Sequence, residues 1–263
     1  MQSSIQTGQT GSSPDDDAPV THAHDESQIK SLKSKYIESG SRKTSDIRDL
    51  FRSLVRSSTA VGGFRRLKDL VVEVGNEARI AGLPGIGGLC ESLAALLRDQ
   101  IANATVLTAS EQRTVAQGIE LIGDLFEDAR DNEKIGIQHP LILAVDDDQN
   151  ARKTMIHSLR KIDYKPVVTG DCKVALHLLD ENRFDLILLD IMMPDIDGFD
   201  MMQRIRENGA NQGTPVIFVT GLADFNSRVK SLAAGGADFI AKPFHHLELA
   251  VKSQTLLMRR ALH

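Results

Sequence analysis

The period of the apolar residues changes once along this chain, near residue 140, so its two halves need different architectures. Beyond that point come short apolar runs: Leu141-Ile142-Leu143-Ala144-Val145, Pro166-Val167-Val168-Thr169, Leu186-Ile187-Leu188-Leu189, Val216-Ile217-Phe218-Val219 and the weaker Asp238-Phe239-Ile240-Ala241. Runs of this length without alternation are typical of strands buried on both faces. Helical segments separate them, near 149–161, 172–181, 198–208, 225–234 and 245–261. Five strands alternating with five helices predict an α/β doubly wound, five-stranded parallel sheet over 141–263.

Residues 28–135 show helical periodicity only. Ile47, Leu50, Phe51, Leu54 and Val55 recur at helix spacing after Ser45, a plausible N-cap. Phe64, Leu67, Leu70, Val71, Val74, Ala78 and Ala81 form a second stripe, interrupted at Gly82-Leu83-Pro84-Gly85. Ile86, Leu89, Cys90, Leu93, Leu96 and Leu97 form a third. Thr108-Ala109-Ser110-Glu111 has the pattern of a capping box and opens a fourth, with Val115, Ile119, Ile122, Leu125 and Phe126. Short connections favour antiparallel neighbours, which predicts an all-α four-helix bundle. An extra helix near Ile29, Leu32, Tyr36 and Ile37 is expected ahead of it. Residues 1–27 hold almost no large apolar side chains and read as a disordered tail, in which Asp15, Asp16 and Asp17 are solvating charges. Residues 136–140, with Gly136 and Pro140, read as a linker.

Composition narrows the function classes. A net charge of −5 gives no general pull toward nucleic acid. No apolar run approaches the roughly 18 residues that span a bilayer. The N-terminus lacks the basic and apolar regions of a secretory signal. The two cysteines, Cys90 and Cys172, each sit in an apolar helical pattern and read as buried thiols, so a cytoplasmic protein is expected.

Ligands of such sheets bind outside the carboxyl ends of the strands. After the first strand come Asp146, Asp147 and Asp148; after the third, Asp190; after the fourth, Thr220 and Gly221; after the fifth, Lys242 and Pro243. Carboxylates aimed at one point repel one another unless a cation sits among them. Oxygen-only ligands select a hard metal, and Mg²⁺ suits a phosphoryl site. A carboxylate there can attack phosphorus and become an aspartyl phosphate, while metal, ammonium and hydroxyl stabilise the moving phosphoryl oxygens. Gly221 leaves room for that group.

Four pieces, Val145-Asp146-Asp147-Asp148, Leu189-Asp190 through Asp197-Gly198, Val219-Thr220-Gly221 and Lys242-Pro243-Phe244, match in order and spacing those of a two-component response-regulator receiver domain, which residues 140–262 resemble. The resemblance implies a flavodoxin-like fold with Asp190 as phosphoacceptor. It implies Mg²⁺ held by Asp146, Asp147 and Asp190 with the backbone carbonyl of Met192. Thr220 and Lys242 would bind phosphoryl oxygens, and Phe239, with Thr220, would be the switch. Asp148 is expected to be exposed. Neither Met192 nor Leu222, which flank the site, can orient an attacking water.

Each acid alone is most simply a turn carboxylate; four positions in family order change that balance. Asp195-Ile196-Asp197-Gly198 is not a calcium loop, because Met193 stands where an oxygen ligand is needed. Gly87-Gly88 lacks the Gly-Lys-Ser/Thr of a phosphate loop and fits close helix packing. His245 and His246 read as surface residues. The segment Gly82 to Leu93 resembles the helix pair of histidine phosphotransfer domains, with Val72 where their histidine stands, so the bundle reads as a degenerate phosphotransfer-like, docking or dimerisation unit. The basic side formed by Arg42, Lys43, Arg48, Arg52 and Arg56 fits a solvated face or an acidic protein partner rather than DNA.

The expected protein is therefore a response regulator, not an enzyme. A histidine kinase or phosphotransfer protein phosphorylates Asp190, and phosphorylation switches protein–protein interaction through receiver and bundle toward a downstream partner, with a homodimer left open and no membrane. The alternatives are an aspartyl-phosphate phosphatase and a phosphate sink or scaffold without output.

Overall fold

A computed structural model describes residues 20–57, 61–129, 139–221 and 235–262. The N-terminal part is four helices: α1 (Val20–Ser57), α2 (Val61–Ile80), α3 (Pro84–Ala102) and α4 (Ala109–Asp128). The C-terminal part runs β1 (Ile142–Val145), α5 (Gln149–Arg160), β2 (Val167–Thr169), α6 (Cys172–Glu181), β3 (Leu186–Leu189), α7 (Gly198–Glu207), β4 (Val216–Thr220), β5 (Asp238–Ala241) and α8 (His246–Leu262). The tail 1–19, the expected helix at 225–234, the linker through residue 138 and Leu222 lie outside the described residues.

Helix α1 corrects two expectations. It is one helix, so Ser45 lies in its interior rather than at a cap, and Ile29, Leu32, Tyr36 and Ile37 belong to this same helix. It also begins at Val20, inside the segment expected to be tail. The expected turn between α2 and α3 is a Schellman motif. Gly82 adopts φ +74, its N–H bonds the Arg79 carbonyl at 3.1 Å, and the Leu83 N–H bonds that of Ala78 at 2.8 Å. Pro84 then starts α3, where its missing N–H costs nothing. At α4 the capping box forms: Thr108 Oγ1 accepts from the Glu111 N–H at 3.2 Å, and the Glu111 carboxylate accepts from the Thr108 N–H at 2.7 Å.

The five strands form one parallel sheet in the order β2-β1-β3-β4-β5. Val145 pairs with Leu189, Leu189 with Phe218, and Thr220 with Ala241, so the carboxyl ends of four strands finish along one edge. One sheet face packs through Val145, Leu189 and Phe218 on Ala175, Leu179, Met201 and Ile205. The other packs through Ala144, Leu188 and Val219 on Met155, Leu159, Leu249 and Leu257.

Helix α8 belongs to two cores. Leu249 and Leu257 meet the sheet, while Val251 and Met258 join the bundle core with Leu93, Leu97 and Ile119. Its residues Glu248 to Thr255 are buried without interruption. Two of its charged groups are held by partners on neighbouring elements, one on α4 and one on β5. Ser110 and Thr114 of α4 donate their hydroxyls to Glu248 Oε1 at 2.5 and 3.2 Å, and Lys252 Nζ donates to Asp238 Oδ2 at 2.8 Å. His245, expected on the surface, is half-buried with Nε2 2.7 Å from Asp99 Oδ2 of α3. The basic side of α1 is largely paired within the bundle: Lys43 with Glu77, and Arg48 in a two-pronged bond to Glu120 at 2.7 and 2.6 Å.

Candidate functional site

The register of β1 against β3 builds the site. Because Val145 and Leu189 are partners, the next residues, Asp146 and Asp190, stand side by side at the sheet edge, and the Asp190 N–H bonds the Val145 carbonyl at 2.9 Å. Asp147 follows, and one carboxylate oxygen from each of Asp146, Asp147 and Asp190 lies within 4.8 Å of the others. Asp146 and Asp190 are buried, whereas Asp147 is exposed. Asp148 is exposed as expected and caps α5, accepting from the Asn150 N–H at 2.8 Å.

Among the described residues, the Lys242 ammonium faces this cluster. Lys242 leaves β5 with its N–H on the Thr220 carbonyl at 2.8 Å, and its Nζ lies 2.7 Å from Asp190 Oδ2 and 2.6 Å from Asp146 Oδ2. The Lys242–Pro243 peptide is cis. Burial pushes the Asp146 carboxyl above its usual range, and bonding to Lys242 opposes this without cancelling it. For Lys242 burial acts to lower the pKa, but its bonds to Asp146 and Asp190 together outweigh it and raise it. Three carboxylates, two of them buried, against the one Lys242 ammonium leave negative charge uncompensated. That donor set suits a hard divalent cation.

Thr220 is buried at the end of β4, and among the described residues a side chain at Gly221 would meet no atom within 4 Å. Met192 donates its backbone N–H to Asp190 Oδ1 at 3.1 Å, while its side chain is 58% exposed. Phe239 is buried among the residues packed under β3 and β4.

Two contributors were not singled out from the sequence. Gly198 opens α7 against the loop that follows β3: a Cβ there would lie 2.4 Å from the Asp190 carbonyl oxygen, and its N–H bonds the Ile191 carbonyl at 2.9 Å. Only a glycine lets that backbone approach. Arg152, on the first turns of α5, donates from one guanidinium nitrogen to the carbonyl oxygens of Asp146 and Asp147 at 2.6 and 2.7 Å. Its position, five residues beyond Asp147, was the only signal the sequence offered.

Residues 142–253 match the response regulator receiver domain family, and this segment is a receiver domain carrying an acidic pocket of Asp146, Asp147 and Asp190. The chain is similar over that part to the transcriptional regulatory protein CusR of Escherichia coli K12, 33% identical over 46% of this chain and 52% of CusR. It is similar also to the response regulator ArlR of Staphylococcus saprophyticus, 36% identical over 45% of this chain and 53% of ArlR. The chain thus spans about half the length of these curated relatives. Among solved structures, the receiver domain of the Francisella response regulator 1452 is 30% identical, covering 46% of this chain and 99% of that one, with a TM-score of 0.44. The four N-terminal helices lie outside the family match.

Proposed function

We propose that this protein is a response regulator whose Asp190 accepts a phosphoryl group from a phosphohistidine donor, a histidine kinase or a phosphotransfer protein. The observation that carries this is the convergence of Asp146, Asp147 and Asp190 with the Lys242 ammonium on Asp190 Oδ2. A carboxylate oxygen of Asp190 attacks phosphorus, the bond from phosphorus to the donor nitrogen breaks, and the electron pair leaves with the imidazole. Asp146, Asp147 and Asp190, with the Met192 carbonyl, would hold Mg²⁺, which when bound neutralises charge on the phosphoryl oxygens. Lys242 exchanges its contacts with Asp190 and Asp146 for a phosphoryl oxygen. The Thr220 hydroxyl takes another, and the space beside Gly221 admits the group. Thr220 and Phe239 then shift the population of receiver states, and the change reaches partners through receiver and bundle.

Asp190→Asn is expected to abolish labelling by acetyl phosphate with Mg²⁺, measured as the loss of a phosphorylated mass in the intact protein. Labelling that persists in this variant refutes the assignment. A phosphatase that passes through an aspartyl phosphate uses the same pocket; catalytic turnover of a phosphomonoester, rather than stoichiometric labelling, would favour it. Labelling with no change in partner binding would instead mark a phosphate sink.

A further inference from the structure

We infer that Arg152 and Gly170 are a matched pair of positioning residues that hold the acidic loop in a shape ready for a divalent cation, an inference resting on the reading of the acidic pocket as a cation site. The loop from Asp146 to Asp148 carries three consecutive carboxylates, and their mutual repulsion works to open it. Its backbone is nonetheless tied on several sides. The Asp146 N–H bonds the Thr169 carbonyl at 3.2 Å, and the Asp148 N–H bonds Asp146 Oδ1 at 3.0 Å. The Arg152 guanidinium takes the carbonyl oxygens of both Asp146 and Asp147, two acceptors that no helix or strand bond uses. Fixing two successive carbonyls fixes the peptide planes on either side of the Asp147 Cα. The directions in which the Asp146 and Asp147 side chains leave the backbone follow from that.

The guanidinium reaches those carbonyls across the residue after β2. A Cβ on Gly170 would stand 2.4 Å from the bonding nitrogen of Arg152, 3.0 Å from its guanidinium carbon and 3.3 Å from the Asp146 carbonyl oxygen. No ordinary contact is that short, so a side chain at 170 requires the guanidinium to shift away from its place on the two carbonyls. Gly170 has no positive φ to account for it, since Gly82 and Gly235 are the positive-φ glycines among the described residues. Its requirement is the space Arg152 occupies. Groups that act on a metal through its ligands in this way commonly contribute on the order of tenfold in affinity.

The test is a Mn²⁺ titration of the full chain, following the signal of free Mn²⁺ by electron paramagnetic resonance; it reads cation binding whether or not Asp190 takes phosphate. Arg152→Gln and Gly170→Ala are each expected to weaken Mn²⁺ binding on the order of tenfold. The double variant is expected to bind like either single one, because both changes break the same contact. Gly170→Ala keeps the positive charge, which separates placement from electrostatics. Thermal unfolding in chelator, expected to change little, separates a local effect from a general loss of fold. The inference is overturned if either single variant binds Mn²⁺ like the wild type, or if the double variant loses the product of the two effects. Absence of Mn²⁺ binding in the wild type would overturn the cation-site reading, and this inference with it.

Discussion

Asp190 lies 3% exposed with its two carboxylate oxygens differently engaged, Oδ1 by the Met192 N–H and Oδ2 by Lys242. The side chain of Met192, two residues on, can offer a water no hydrogen bond, and Leu222, two residues beyond Thr220, has none to offer either. Phosphorylated Asp190 is therefore expected to hydrolyse slowly in the purified protein. The decay of the phosphorylated mass after removal of acetyl phosphate measures this, and a half-life of seconds would sink the idea. The acids, the hydroxyl and the lysine could be read from the sequence because each directly follows a short apolar run, so chain position alone puts them at one edge. Gly198 and Arg152 could not be read in the same way. The first matters through how closely it lets backbone approach the Asp190 carbonyl, and the second through two acceptors on the main chain. Gly198 shows in the sequence only as the glycine that ends the Asp197-Gly198 match, and the backbone bonds of Arg152 leave no mark in residue type or period.

Helix α8 shows what period misses at the next scale. Its sequence reads as an ordinary amphipathic helix on a sheet, yet Glu248, Lys252, Ser253, Gln254 and Thr255 are all buried. A helix covered on two sides has no face left for solvent, and Glu248 takes its partners from Ser110 and Thr114 of α4 while Lys252 takes Asp238 of β5. Burial raises the Glu248 pKa, and the Ser110 and Thr114 hydroxyls, with Lys252, work against that. A raised pKa in the fold means stability that is greatest below the unfolded value of about 4.5 and is lost as pH rises through the folded value. The two hydroxyls stabilise the ionised form. Replacing them in Ser110→Ala with Thr114→Val is expected to cost about 1–3 kcal/mol at neutral pH. That deficit should shrink toward pH 4.5, where the carboxyl is more nearly neutral in either state. Urea unfolding at the two pH values checks the size and the sign. For α1 the sequence misled in the other direction. The polar stretch before Ser45 looked like a boundary, but Lys43 and Thr44 face inward to Glu77 and to the Gly40 carbonyl, and the helix runs through.

At the scale of the molecule, the apolar faces of α3 and α4 meet α8 through Val251 and Met258, so the two parts share side chains rather than merely touch. A shared core predicts one cooperative thermal transition for both parts. Met258→Asp in α8 is expected to lower the melting of the bundle and the sheet together, by well over 2 kcal/mol, because it places an unpaired carboxylate between them. Circular dichroism and the near-ultraviolet signal of Tyr36, which lies in the bundle, against that of Tyr164, which packs beside the sheet, would show two separate transitions if the cores were independent. The two-part architecture was readable from the change of period near residue 140, whereas the junction was not, since it depends on which face of α8 the bundle occupies. The same feature bears on how the chain is made. Helix α4 is finished at Asp128, and α8 begins only at His246, after all five strands. At ribosomal rates of about 5–20 residues per second, the seam between α3 and α4 stays open for on the order of ten seconds after the bundle has emerged. For that interval Leu93, Leu97 and Ile119 lack their Val251 and Met258 neighbours, and a helix made after the whole sheet closes the N-terminal core.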